Sequence, residues 1–158
     1  MTFRTFSIPS GAAIGLVFLE GCRPTELAGR WDLAAWSIDT QDVDLDYYRY
    51  WNYGYASYHQ IAASLELDDH AHGDLAWSYE QDGGWPAVKL RGEVTTAKAL
   101  PEGGYALSIR NAGQGGEQLG GVESGDELDL TCQLADDAMT CEGGWDGATG
   151  EVQSWSRG

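Results

Sequence analysis

From Glu127 to Trp145 the chain alternates with a period of two, and this pattern limits the fold more than any other feature of its 158 residues. Leu128, Leu130, Cys132 and Leu134 occupy one parity, and Asp129, Thr131 and Gln133 occupy the other. That is the pattern of a strand with one buried face. After Asp136-Asp137 the alternation resumes with Met139, Cys141, Gly143 and Trp145. A two-residue turn at Asp136-Asp137 sets Ala135 opposite Ala138, Leu134 opposite Met139, Gln133 opposite Thr140 and Cys132 opposite Cys141. Counting outward from the hydrogen-bonded closing pair makes the cysteines a non-hydrogen-bonded pair, whose close approach suits a disulfide. They share a face with the leucines, so the bridge is expected to point into a core.

The same periodicity recurs upstream. Ile61, Ala63, Leu65 and Leu67 form one apolar face, and Leu75, Trp77 and Tyr79 form its hairpin partner across Asp69-His70-Ala71-His72-Gly73. Val88, Leu90, Gly92 and Val94 pair with Tyr105, Leu107 and Ile109 across Pro101-Glu102-Gly103-Gly104. Arg30 to Ile38 changes parity near Ala34-Ala35, which predicts a bulge. Tyr47 to Tyr58 is expected to be partly extended, and Glu151 to Arg157 to be a closing strand. Asn111 to Asp126 reads as a glycine-rich loop with a short strand at Gln118 to Val122. No segment after Cys22 carries a helical stripe. The expectation is an all-β antiparallel meander of eight or nine strands. It would form a closed or partly closed barrel, with a β-sandwich as the alternative.

The first residues read as an address. Arg4 precedes an apolar run from Ile8 to Phe18, too short to span a bilayer and suited to a secretory signal peptide. Leu19, Gly21 and Cys22 resemble the lipobox of bacterial lipoproteins. That resemblance implies cleavage before Cys22 and a diacylglyceryl group on its thiol. The implied organisation is a signal peptide over 1–21, a short tether over 22–28 and a single β domain over 29–158. Such a tether reaches about 20 Å at most. Cysteine counting agrees: of three cysteines, one would carry lipid and two would pair in an oxidising compartment. The expected location is the cell envelope, on the extracytoplasmic side of a membrane (the outer membrane if the host is Gram-negative).

With 25 acidic against 9 basic side chains, the chain carries a net charge of −16. It would repel phosphates, which excludes nucleic acid as a partner, and its folded body would not dock on anionic lipid. Gly29-Arg30-Trp31 resembles the Gly-x-Trp motif of lipocalins and lipocalin-like domains. The resemblance implies that Trp31 closes one end of a barrel, with Arg157 from the last strand packed across it. It also implies a small apolar ligand in the barrel mouth.

Three further segments hold candidate sites. Asp68, His70, His72 and Asp74 supply imidazole and carboxylate donors suited to Zn, Ni or Cu, against the plainer reading of a solvated turn. Asp42, Asp44 and Asp46 are spaced like the start of an EF-hand, but Tyr47 and Tyr53 replace the required Gly and Glu, so an EF-hand is rejected. In Tyr47 to Tyr55, Tyr48, Tyr50, Trp51 and Tyr53 are candidates for a ligand platform. In the competing reading Tyr48, Tyr50 and Asn52 face one way while Tyr47, Arg49, Trp51 and Tyr53 fill the core. The chain has no nucleophile elbow, no His-Glu-x-x-His and no phosphate-binding glycine loop, so neither catalysis nor a cofactor is expected. The first expectation is a lipid-anchored binding module for a small apolar or aromatic ligand or a glycan. The alternatives are a structural lipoprotein with a filled core and a metal-dependent hydrolase using His70 and His72.

Overall fold

A computed structural model describes residues 25–51, 55–82, 88–113, 123–145, 147 and 149–158. The lipobox, Cys22, Tyr53 and the expected strand at Gln118 to Val122 lie outside the described residues. Ten strands follow in chain order: β1 Gly29–Ile38, β2 Gln41–Val43, β3 Tyr47–Trp51, β4 Tyr55–Leu67, β5 Gly73–Gln81, β6 Val88–Ala99, β7 Tyr105–Asn111, β8 Glu127–Ala135, β9 Ala138–Glu142 and β10 Glu151–Arg157. Each antiparallel neighbour is the next stave, from β4 through to β10. β1 then pairs with both β10 and β4, with Gly29 opposite Leu67 and Asp32 opposite Ser64. That second pairing closes the sheet into an eight-stranded up-and-down barrel and excludes the sandwich. The architecture fits a lipocalin-like barrel.

β2 and β3 are additions to the ring. β1 and β4 are paired at one end and diverge at the other, where β2 pairs with Trp36 to Ile38 and β3 with Tyr55 to His59. The chain reverses between them at Asp44 to Asp46, where the Asp44 carboxylate accepts from the Asp46 amide at 3.0 Å. This reversal is held on β4 by Ile61 N donating to Leu45 O at 2.7 Å, beside a bulge at Gln60 with φ of +51°. Asp42, Asp44 and Asp46 therefore build a wedge that spreads the barrel mouth. Two further bulges, at Ala34 and Thr95, bend β1 and β6. The second moves the inward set from Val94 to Ala97, and extra local twist helps a small barrel to close.

The opposite end is plugged. Thr25–Leu27 forms a 3-10 turn rather than free tether, and Leu27 is fully buried. The Trp31 indole N–H donates to the Leu27 carbonyl at 2.8 Å. The Arg157 guanidinium lies 4.3 Å from the centre of the Trp31 ring. It also donates to the carbonyls of Ala28 at 2.7 Å and Glu26 at 3.0 Å. The Tyr105 hydroxyl donates to the Glu26 carboxylate at 2.6 Å, so the plug is tied to β7 as well. One planar cation thus covers an aromatic face and satisfies two carbonyls left bare at the end of a short helix.

The last hairpin has the expected register, from Ala135 opposite Ala138 to Cys132 opposite Cys141. The two cysteines are disulfide-bonded and fully buried, with Cα atoms 4.0 Å apart. The alternation ends at Glu142. Gly143, with φ of +131°, turns the chain so that Trp145 comes back to bridge Leu128.

Two stability outcomes are expected. Replacing Cys132 and Cys141 together by Ala lowers the free energy of unfolding by about 2–3 kcal/mol in urea, since the bridge closes a loop with a sequence separation of 9. Arg157→Lys costs about 1–3 kcal/mol, because a lysine cannot cover Trp31 and reach both carbonyls at once. An unchanged urea midpoint for this variant would remove the plug from its structural role.

Candidate functional site

The inner wall of the mouth half is not uniformly apolar. On β10, Gln153 and Trp155 face inward, and Glu151 shares their parity at the mouth end. Gln153 stands between Trp36 of β1 and Cys141 of β9 on one rung of the sheet, and Glu151 stands beside Ile38 one step nearer the mouth. The Trp36 indole lies close enough to the Glu151 carboxylate to favour its charged form. Across the barrel, Trp77 of β5 meets Trp36 edge to face, with ring centres 5.5 Å apart and planes at 84°. Tyr79 lies two residues beyond Trp77 on the same face and meets Tyr58 at 4.9 Å and 89°. Four aromatic rings and two polar side chains are thereby gathered in one half of the barrel.

Three polar atoms of the barrel interior are buried without a hydrogen-bond partner among the described residues: Trp77 Nε1 and Gln153 Oε1 toward the mouth, and Trp155 Nε1 lower down, on the rung of Leu33 and Met139. Gln153 and Trp155 are each 1 % exposed and Trp77 is 6 % exposed. Burying such a group unpaired costs about 1–3 kcal/mol, so three in one barrel interior are hard to explain as packing alone. Glu151 is under related stress. Burial, opposed by the Trp36 indole and aided by the nearby charge of Asp39, pushes its carboxyl above the ordinary value of 4.5. None of the described ion pairs involves Glu151. The basic side chains Arg30, Lys89, Arg91, Lys98, Arg110 and Arg157 are all exposed.

Asn111, 1 % exposed, closes the base of the excursion that follows β7. Its side chain donates to Glu123 O at 2.8 Å and accepts from Gly113 N at 3.0 Å. Its own backbone bonds Asp126 and Gly125, so both ends of the 111–126 segment are pinned to the mouth.

The histidine loop lies at the plugged end, on the outside. Asp68 accepts from the backbone amides of His70 at 2.8 Å and His72 at 2.9 Å. Those amide bonds, His72 first, hold its carboxyl below its ordinary value although it is exposed. Asp68, Asp69 and His70 bring possible donor atoms within 4.8 Å of one another, but all three are exposed. His70 Nδ1 is already 2.6 Å from Asp69. The His70 and His72 rings stack 6.4 Å apart. Asp74 is not part of that trio. It stands on an outer rung between Glu66 and Glu93, lining an open groove of about 520 Å³. The local geometry is that of a turn scaffolded by one carboxylate, with an acidic row beside it.

In the aromatic segment, β3 carries the backbones of Tyr48, Tyr50 and Trp51, opposite Tyr58, Ala56 and Tyr55. The side chains at 48–51 lie outside the described residues. Tyr47, assigned to the core in one reading of the sequence, is instead exposed, with its ring 4.9 Å from His59. The extra residue at Gln60 sets how β4 presents its side chains beyond the bulge, and the sequence carries no mark of it. His59 in turn lies 2.7 Å from the Asp82 carboxylate on the outer side of the mouth.

Searches against protein families, curated proteins and solved structures return no match to this chain.

Because the folded carboxyl of Glu151 is raised, its contribution to stability is fully present below its ordinary value and is lost as pH rises through the folded value. Glu151→Gln removes that penalty. The variant is expected to melt about 2–4 °C higher at pH 7 and to show a flatter stability profile over the weakly acidic range than the parent. Equal melting of the two proteins at pH 7 would show that the carboxylate is not under stress.

Proposed function

We propose that this chain is a non-enzymatic binding module, anchored through lipid on Cys22 to the extracytoplasmic side of a bacterial membrane, that holds a small ligand in the mouth half of its barrel. The supporting observation is the pair of unpartnered buried atoms on opposite sides of the mouth half, Trp77 Nε1 and Gln153 Oε1. A ligand with an apolar body and a few hydrogen-bonding groups would satisfy them and would lie against Trp36, Trp77, Tyr58 and Tyr79. Eight-stranded barrels are either filled by their own side chains or hold one such molecule, and a ligand here would have to displace or sit beside the Trp36–Trp77 contact. The lipid anchor rests on Leu19, Gly21 and Cys22, and the three-cysteine count agrees with it once Cys132 and Cys141 are paired.

A structural lipoprotein without a ligand is favoured by a different observation. One continuous apolar cluster runs from Leu27, Trp31, Leu65 and Leu75 at the plugged end to Trp36, Tyr58, Trp77 and Tyr79 toward the mouth. Native mass spectrometry of the protein extracted from its own host membrane separates the readings. The expected result is a chain lacking residues 1–21, carrying acyl mass, and retaining a small molecule that is lost on denaturation. An unmodified Cys22 would overturn the anchor. A lipidated chain with no retained molecule would favour the structural reading.

A further inference from the structure

The polar groups in the mouth half are unequal in kind, and their chemistry narrows what would satisfy them. Glu151 and Gln153 place two acceptors on one inner face of β10, about 6.7 Å apart along the strand. The carboxylate of Glu151 lies beside Trp36, whose ring centre is 5.5 Å from that of Trp77. Aromatic faces carry partial negative charge and attract a cation within about 6 Å of the ring centre. The six described basic side chains all stay outside, so none of them neutralises this compartment. Asp39, at the turn between β1 and β2, adds a second negative charge within reach of Glu151.

We infer that the mouth half recognises an organic amine with an apolar body, its ammonium group held by Glu151 and Gln153 Oε1 and flanked by the rings of Trp36 and Trp77. The inference rests on the binding reading above and adds the sign of the ligand's charge. The ammonium's donors match the two inward acceptors, while the Trp77 and Trp155 indole N–H groups, being donors themselves, call for an acceptor elsewhere on the molecule. An ammonium offers up to three N–H donors to two inward acceptors, and the carbon skeleton continues along the aromatic wall toward Tyr58 and Tyr79. The raised carboxyl of Glu151 is consistent with this: a charge that is costly in the empty barrel becomes favourable once a cation lies beside it. A position that would be more stable as glutamine holds a carboxylate at the site where a ligand would enter.

The test is a matched series of 4-phenylbutylamine, 4-phenylbutan-1-ol and 4-phenylbutyrate, titrated against the mature protein and followed by tryptophan fluorescence and calorimetry at physiological salt. The expected result is that the amine binds about tenfold or more tightly than the alcohol, with the carboxylate weakest. Glu151→Gln should remove that preference, so that amine and alcohol bind within about twofold of each other. The chain's overall charge of −16 attracts any cation, so Glu142→Gln serves as the control. Glu142 is exposed on the outer face of β9, and its loss removes the same unit of charge. The preference should survive it. Equal binding of amine and alcohol, or equal loss in both variants, would overturn amine recognition at Glu151 and leave the binding reading standing. Failure of all three compounds to bind would overturn the inference, and the retained mass in the native spectrum would then decide the broader reading.

Discussion

Closure of β1 against both β10 and β4 is the constraint on which the rest of the structure depends. Without the pairing of Gly29 to Asp32 with Leu67 to Ser64, the meander would be an open sheet with two bare edges and one apolar face in water. Closure requires β1 to serve two neighbours along different parts of its length. The Ala34 bulge and the divergence beyond Asp32 make that possible, and the chain fills the resulting gap with β2 and β3. Closure also needs something to seal the narrow end. Leu27, Trp31 and Arg157 do this by covering an aromatic ring and several backbone carbonyls with one guanidinium. The disulfide in the β8–β9 hairpin stiffens the staves that face β1 through β10.

The two halves of the barrel differ in what they bury. The plugged half is apolar and fully buried. The mouth half holds Glu151, Gln153 and Trp77, whose polar groups packing alone does not satisfy. Small domains have little stability to spare, so a carboxylate and three unpaired polar atoms in the barrel interior are a substantial concession. The rigid frame around them, with its closed hydrogen-bond ladder and internal bridge, is what can carry it.

Much of the frame was legible from the residues themselves. The β8–β9 register follows from Leu128 to Cys141 because period-two alternation and two cysteines impose the same pairing. The Ala34 bulge is visible as a change of parity in a strand that must keep both Trp31 and Trp36 inside. β2 was not legible: its three residues include one apolar side chain, Val43, and no periodicity can be read from that. Leu27 was assigned to the tether because nothing local marks a lone leucine as a plug. The inward-facing acceptors on β10 were hidden for a different reason. Val152 and Trp155 imply opposite parities, and only the pairing of Gln153 with Cys141 decides that Glu151 and Gln153 take the inner face. The histidine loop shows the reverse case, where conspicuous residue types serve a turn held by Asp68.

The 3-10 turn at Thr25–Leu27 has a consequence for polarity. The polypeptide enters the barrel through its sealed base, and the rim with Glu151 lies at the far end of the staves. A chain fixed by anything upstream of Thr25 is therefore mounted like a goblet on its stem, its bowl turned away from the surface that holds it.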